Sequence, residues 1–232
     1  MNFVVPAVLP SSKRELDEKL ELLGSLLPVK RIQIDVVDGR LAVPASWPYT
    51  APEEMQALVA RGGMLPSLDR LEYEIDLMCF DALSAAEQWL ALGASRLTFH
   101  TESSADLPDY LAAARERLGS FVTFGLALNI NSSLGLVRAC AGELGYVQFM
   151  GIARIGRQGE PFDERVLEKI KTFRRMYPSL PVQVDGGVSL VSAKKLSALG
   201  VANLVIGSGI LKADDPLAAV EKFETLQGSF GV

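Results

Sequence analysis

The chain has 232 residues, 49% hydrophobic and 22% charged, which is enough apolar material to bury a full core. A net charge of −5 and a pI near 5.1 exclude a general nucleic-acid surface, which needs a basic face. The opening MNFVVPAVLPSSK lacks a basic n-region and its apolar run is broken by Pro6, so it reads as neither signal peptide nor membrane span.

Strand and helix patterns alternate along the chain. Phe3 to Val8 is predicted as an apolar strand, followed by a helix capped by Ser11 or Ser12 and running to about Leu26. Leu16, Leu20, Leu23 and Leu27 recur at helical spacing and form its expected core stripe. The second strand is Arg31 to Val36, ending near Asp35, Asp38 and Gly39, with Asp38 read as a turn residue. A loop with Pro44, Trp47 and Pro48 leads to a short helix from Pro52 to about Arg61. Leu71 to Leu77 is the third strand, with a helix from Ala82 to Leu92. Arg96 to Phe99 is the fourth, with a helix from Leu107 to Leu118. Phe121 to Leu128 is the fifth, with a helix from Ser133 to Cys140. Tyr146 to Met150 is the sixth, and the loop Gly151 to Pro161 precedes a helix from Phe162 to Tyr177.

The stretch Val182 to Ile210 holds the last two strands, Val182 to Val184 and Asn203 to Ile206. Between them Ser189 caps a helix ended by Gly200. Each strand ends in a glycine turn, Gly186-Gly187 and Gly207-Ser208-Gly209. A final helix runs from Pro216 to about Leu226. Eight strand–helix units without a linker predict a single (β/α)8 TIM barrel over residues 1–232, with an all-parallel core. A doubly wound sheet is the runner-up, but it usually carries a glycine-rich turn after its first strand, and Ala7-Val8-Leu9-Pro10 is none.

In such a barrel, side chains at the carboxyl ends of strands converge on one mouth, and the turns after strands seven and eight commonly take a phosphate. The two glycine turns fit that role, because backbone N–H groups there suit a phosphate dianion. The bland reading is that the glycines only make tight turns. Gln33 and Asp35 share a strand face, as do Glu74 and Asp76; His100, Asn129, Gln183 and Asp185 stand at other strand ends. Asp35 and Asp185 come from strands far apart around the barrel. Two opposed carboxylates suit epimerisation: one removes a proton next to a carbonyl, and the other returns a proton to the opposite face of the enediolate.

The segments IQIDVVDG (Ile32 to Gly39), EIDLM (Glu74 to Met78), GASRLTFHTE (Gly93 to Glu102), GLALN (Gly125 to Asn129), QVDGGV (Gln183 to Val188) and IGSGI (Ile206 to Ile210) together resemble the ribulose-phosphate 3-epimerase family. PAVLPSS near the start is similar to its first strand and turn. The resemblance covers nearly the whole chain and implies a barrel enzyme acting on a phosphorylated ketopentose. It implies an acid/base pair of Asp35 and Asp185, phosphate binding at Gly186, Gly187, Gly207 and Ser208, and methionines over the reaction centre at Met78 and Met150. It also implies a divalent metal, often zinc or iron, held by two histidines and the two aspartates.

This sequence departs from that pattern at the metal end. Gln33 and Asp76 replace the two histidines, Ala7 a substrate-binding serine and Val37 a third methionine. His100, the one histidine, matches a different family position and reads as a hydrogen-bonded strand-end residue. Gln33, Asp35, Asp76 and Asp185 would offer only oxygen or amide ligands, favouring Mg²⁺ or Mn²⁺ over Zn²⁺ if a metal binds. The alternative is no catalytic metal, with a protonated Asp76 acting as donor. The sixth loop is one residue longer than usual and carries Arg154 and Arg157. Either arginine is a solvated lid residue or one reaches the phosphate.

Three functions stay open: an epimerase of ribulose 5-phosphate, an epimerase or isomerase of another sugar phosphate, and a silent phosphosugar-binding protein. Decarboxylases and aldol-type synthases on this barrel carry a lysine between two aspartates, and Asp35-Val36-Val37-Asp38 has none. The expected partner is a small phosphorylated sugar, with no nucleic acid or membrane; a homo-oligomer stays open. Cys79 and Cys140 fit no metal spacing, are expected to be inert, and suit a cytoplasmic, reducing compartment.

Overall fold

The structure is a computed structural model that describes residues 3–227. Its eight strands are β1 (Val4–Val8), β2 (Arg31–Val37), β3 (Glu72–Met78), β4 (Arg96–His100), β5 (Thr123–Leu128), β6 (Tyr146–Met150), β7 (Val182–Asp185) and β8 (Asn203–Ile206). They pair in parallel in chain order, and β8 returns to β1, so the sheet closes into a barrel. The helices around it are α1 (Lys13–Ser25), α2 (Pro52–Ala60), α3 (Ala82–Ala91), α4 (Leu107–Leu118), α5 (Gly135–Arg138), α6 (Arg165–Met176), α7 (Leu190–Ala198), α8 (Ser208–Leu211) and α9 (Pro216–Glu224). The expected TIM barrel is therefore the fold.

The apolar core lies between strands and helices, because alternation sends Ile32, Ile34 and Val36, or Tyr73, Ile75 and Leu77, outward from the barrel axis against the helices. Trp47 is fully buried there, edge-on to Trp89 at 5.6 Å, with its indole N–H on Glu54. It packs its loop; it does not line the mouth. Helix α9 closes the chain by setting the Glu224 carboxylate under the Phe3 and Val4 amides, at 3.2 and 3.0 Å. Among the described residues no helix is long and apolar enough to cross a membrane.

Several predicted bounds move for local reasons. The α1 stripe ends at Leu23: the helix stops at Ser25 and Leu27 is 78% exposed. β5 starts at Thr123, not Phe121, because Arg115 donates to the Gly119 and Val122 carbonyls and holds the approach as a loop. Phe121 is consequently fully exposed. The expected helix from Ser133 shrinks to α5 and a 3₁₀ turn, Ala141–Glu143, in a stretch containing Gly135 and Gly142, poor helix formers. α6 begins at Arg165 because Phe162 is pinned against Gly187 and the Asp163 amide donates to the Gly151 carbonyl at 2.7 Å. The turn after β8 is itself helical, as α8.

Candidate active site at the mouth of the barrel

Every second strand residue faces the barrel axis, and in this chain many of those are polar. The register sets Gln33 beside Glu74, Asp35 beside Asp76, and Gln148 beside Gln183. All are buried, so each must find hydrogen-bond partners inside the barrel.

At the lower level lies Glu74, fully buried. Arg96 Nε donates to it at 3.0 Å, and Arg31 approaches at 3.7 Å. The Arg96 guanidinium lies 4.4 Å from the centre of the Tyr146 ring, whose hydroxyl pairs with Thr98 Oγ1 at 2.6 Å. Residue 125 is glycine because the Tyr146 ring occupies the space that a Cβ there would fill. Burial, with Glu74 next, pushes the Tyr146 phenol well above its ordinary range, so it stays neutral.

Above this level runs a chain of amides. Gln183 Nε2 donates to Glu74 and to Gln148 Oε1 at 2.8 Å, and Gln33 Oε1 lies 3.3 Å from the same nitrogen, where it shares one of the two N–H bonds. Gln33 Nε2 in turn meets Asp35 Oδ1 at 2.8 Å and Asp185 Oδ2 at 3.1 Å. Gln148 Nε2 meets Asp76 Oδ2 at 3.2 Å, and His100 Nε2 lies 2.8 Å from Asp76 Oδ1. Burial opposes a charge on His100, but Asp76, with Glu102 and Asp185 behind it, outweighs that cost and the imidazole pKa is raised. His100 is thus a hydrogen-bonded strand-end residue, as the sequence suggested.

Asp35 and Asp185 form the floor of the mouth. Burial first, then Asp185 and Asp76, push the Asp35 carboxyl well above the usual range. Burial first, then Asp76, push Asp185 up to about 7, against the Gln33 hydrogen bond and His100. Both effects follow from placing carboxylates close together out of water. The two carboxyls interact closely enough that they titrate as a pair, the proton on one raising the acidity of the other. The backbone of Asp35 is also held: Ser46 Oγ, from the loop after β2, donates to its carbonyl at 3.2 Å and accepts from the Val37 amide at 2.9 Å.

A cavity of about 220 Å³ stands on this floor. It is bounded below by Asp35, Asp185, Met78 and Met150, and on one side by Gly186, Gly187, Gly207 and Ser208. The structure brings these eight predicted residues together, with Gln33 beneath and Asp76 beside Asp35. Arg157 also lines the cavity, with its Nε on the Val43 carbonyl at 3.2 Å. Arg154 does not; it is largely exposed and pairs with Glu160 at 3.0 Å. The glycines answer to packing as well as to any ligand. Gly186 and Gly187 have φ of +100° and +66°, and a Cβ on Gly187 would sit 2.6 Å from Phe162 backbone atoms.

Among the described residues, Asp35, Asp76 and Asp185 each bring one oxygen within 4.8 Å of the other two, within reach of one cation. Gln33 turns its amide nitrogen, not its oxygen, toward Asp35 and Asp185.

Sequence reasoning missed Gln148, Ser46 and Gln158. Gln148 is signalled by a lone amide in the apolar strand YVQFM. Gln158 lies in the lid loop, where a Cβ on Gly207 would come 2.7 Å from its Nε2, a buried nitrogen with no partner among the described residues. Nothing in the loop sequence marks it out from its polar neighbours.

The closed parallel barrel, with its ionisable side chains gathered where the strands' carboxyl ends open, places the protein among TIM barrels with a mouth-side site. Within that class, the chain belongs to the ribulose-phosphate 3-epimerase family, whose sequence model, described as "Ribulose-phosphate 3 epimerase family", matches residues 4–211. It is 25% identical to the ribulose-phosphate 3-epimerase of Helicobacter pylori strain 26695, over 97% of this chain and 98% of that one. It is 28% identical to the enzyme of that name from Schizosaccharomyces pombe, over 62% of this chain and 61% of that one. Among solved structures, KGPDC from Streptococcus mutans shares the fold, with a TM-score of 0.69, 18% identity, and coverage of 96% of this chain and 95% of that chain.

Proposed function

We propose that the protein is an epimerase of a phosphorylated ketose, of the ribulose 5-phosphate and xylulose 5-phosphate type, working by two-aspartate proton transfer. The observation that carries this is the pairing of Asp35 and Asp185, from β2 and β7, on the floor of one cavity. One carboxylate takes the proton from the carbon next to the ketone, leaving an enediolate. The other, already protonated, delivers its proton to the opposite face. Each turnover leaves the pair with its proton moved from one member to the other. A shared single proton is the state such a cycle needs.

The phosphate is assigned to the wall formed by Gly186, Gly187, Gly207 and Ser208, with Arg157 and Gln158 of the lid beside it. Met78 and Met150 present apolar surface to the reacting carbons and keep water away from the enediolate. The chain as a single functional barrel domain and a phosphosugar as its partner follow from the same reading.

The test is solvent exchange. Ribulose 5-phosphate incubated with the protein in D₂O should gain deuterium at C3 and yield xylulose 5-phosphate. No exchange with this substrate or any other ketose phosphate, alongside binding seen by thermal shift, would leave a phosphosugar-binding protein instead.

A further inference from the structure

We infer that this barrel positions its two aspartates without a divalent metal, through a one-way hydrogen-bond relay from Glu74 through Gln183 to Gln33. The inference rests on the two-aspartate reading above and concerns what holds that pair.

The direction of the relay is fixed from below. Glu74 is engaged by Arg96 and Arg31 as a carboxylate, and a carboxylate can only accept hydrogen bonds. Gln183 must therefore face Glu74 with its NH₂ group. The same NH₂ faces the amide oxygens of Gln148 and Gln33, at 2.8 and 3.3 Å. Glu74 and Gln148 take the two N–H bonds of that group, and Gln33 Oε1 shares one of them through the longer contact, so the Gln148 and Gln33 amides are both favoured with their own NH₂ groups turned upward. Gln33 presents its nitrogen to Asp35 and Asp185, at 2.8 and 3.1 Å, and Gln148 presents its nitrogen to Asp76 at 3.2 Å. The remaining Asp76 oxygen is taken by His100 Nε2 at 2.8 Å. The amide orientations follow from the network as a whole. This direction has a cost, since the oxygen of Gln183 is a buried acceptor without a partner among the described residues.

Asp35, Asp76 and Asp185 leave three oxygens within reach of one cation, but the group at Gln33 does not fit it, and Gln33 and Asp76 stand in place of the imidazoles of the implied site. A cation needs lone pairs directed at it, and the group between Asp35 and Asp185 is an N–H donor. Rotating Gln33 to offer its oxygen would set its NH₂ against the NH₂ of Gln183. Rotating Gln183 as well would set its oxygen against Glu74, a repulsive contact in a dry interior. The only imidazole in the chain is committed to Asp76. Gln33 thus acts as a positioning residue. It spans the two carboxylates and satisfies one oxygen on each, while Glu74 keeps it turned the right way.

Two measurements test this on the full chain. Chelator-treated wild-type protein is titrated with Mn²⁺ by calorimetry and by the loss of the free-Mn²⁺ electron paramagnetic resonance signal. The expected result is no saturable binding below millimolar metal, and exchange activity unchanged by chelation. Saturable micromolar Mn²⁺ binding by the wild-type protein would overturn the inference. The second measurement is Glu74→Gln, where an amide accepts either orientation of Gln183 and the relay loses its direction. kcat for deuterium exchange should fall by about 10–100-fold, KM should stay close to wild type, and the pH optimum should move. Unchanged kcat and pH profile in a folded variant would overturn the relay. The Mn²⁺ arm needs no variant to fold. It is also independent of catalysis, so a wild-type protein that neither exchanges nor binds Mn²⁺ counts against the epimerase reading alone.

Discussion

Asp35 and Asp185 share a single donor, the Gln33 amide nitrogen, at 2.8 and 3.1 Å. They are thereby tied together while their free oxygens face the cavity. Replacing either by asparagine removes one of the two proton carriers and leaves the shape. Asp35→Asn and Asp185→Asn are each expected to lower kcat by about 10²–10⁴-fold, an order-of-magnitude figure for loss of an acid or base. Circular dichroism should be unchanged. Retained exchange in both variants would remove the two-aspartate mechanism.

The same pair sets the pH response. Asp185 is raised to about 7 and Asp35 is raised well above the usual carboxylate range, so as the pH falls below neutrality both become protonated and no base remains. At high pH both are ionised and no acid remains. The kcat/KM profile should therefore be bell-shaped, falling on the acid side through a pH near 7 and on the alkaline side above it. An activity that stays flat well into the acid range would contradict one shared proton.

The lid arginines should separate. Arg157 lines the cavity, whereas Arg154 points to Glu160. Arg157→Ala and Gln158→Ala are expected to raise KM several-fold for a phosphorylated substrate, with kcat less affected. Arg154→Ala should act more weakly, through its exposed ion pair. An effect of Arg154→Ala larger than that of Arg157→Ala would reverse this assignment.

The barrel and the mouth were legible because they rest on short-range patterns. Period-two alternation places Gln33 with Asp35 and Glu74 with Asp76, and glycines mark the turns after β7 and β8. What could not be read is what joins distant strands. The contact of Gln183 with Glu74 spans 109 residues, and nothing local sets the direction of their hydrogen bond. The bounds that failed, at Leu27, Phe121 and Phe162, are places where a loop or a long side chain overrides local propensity. Phe162 reads as a helix start, yet its backbone is committed to the space left by Gly187.

That commitment makes Gly187 a test of packing against ligand contact. Its φ of +66° and the Phe162 backbone 2.6 Å from a would-be Cβ both oppose any side chain. Gly187→Ala should cost about 1–3 kcal/mol of stability by urea unfolding, even without ligand. Gly207→Ala should cost less, because its φ is −88° and its nearest obstacle is the flexible end of Gln158. Equal stability losses would mean that the lid is not held as described.

A last prediction concerns the entry to α1, away from the mouth. Ser12 Oγ accepts from the Glu15 amide at 3.2 Å, while Glu15 accepts from the Ser11 amide and hydroxyl at 2.7 and 2.5 Å and from Lys19 at 2.5 Å. Lys19 first, then Ser11, hold the Glu15 carboxyl down at about 2, from an ordinary 4.5. A depressed folded pKa means that the unfolded chain takes up the proton first on acidification. The stabilisation is therefore complete above pH 4.5 and is lost as the pH falls toward 2. The site is near the surface, so solvent screens the pair with Lys19 and the contribution stays near that of an ordinary cap, about 1 kcal/mol. Glu15→Gln should thus unfold at lower urea than wild type near neutral pH, and the gap should narrow steadily as the pH falls from 4.5 toward 2. If the gap is the same at both ends of that range, the carboxylate charge is not what stabilises the helix start.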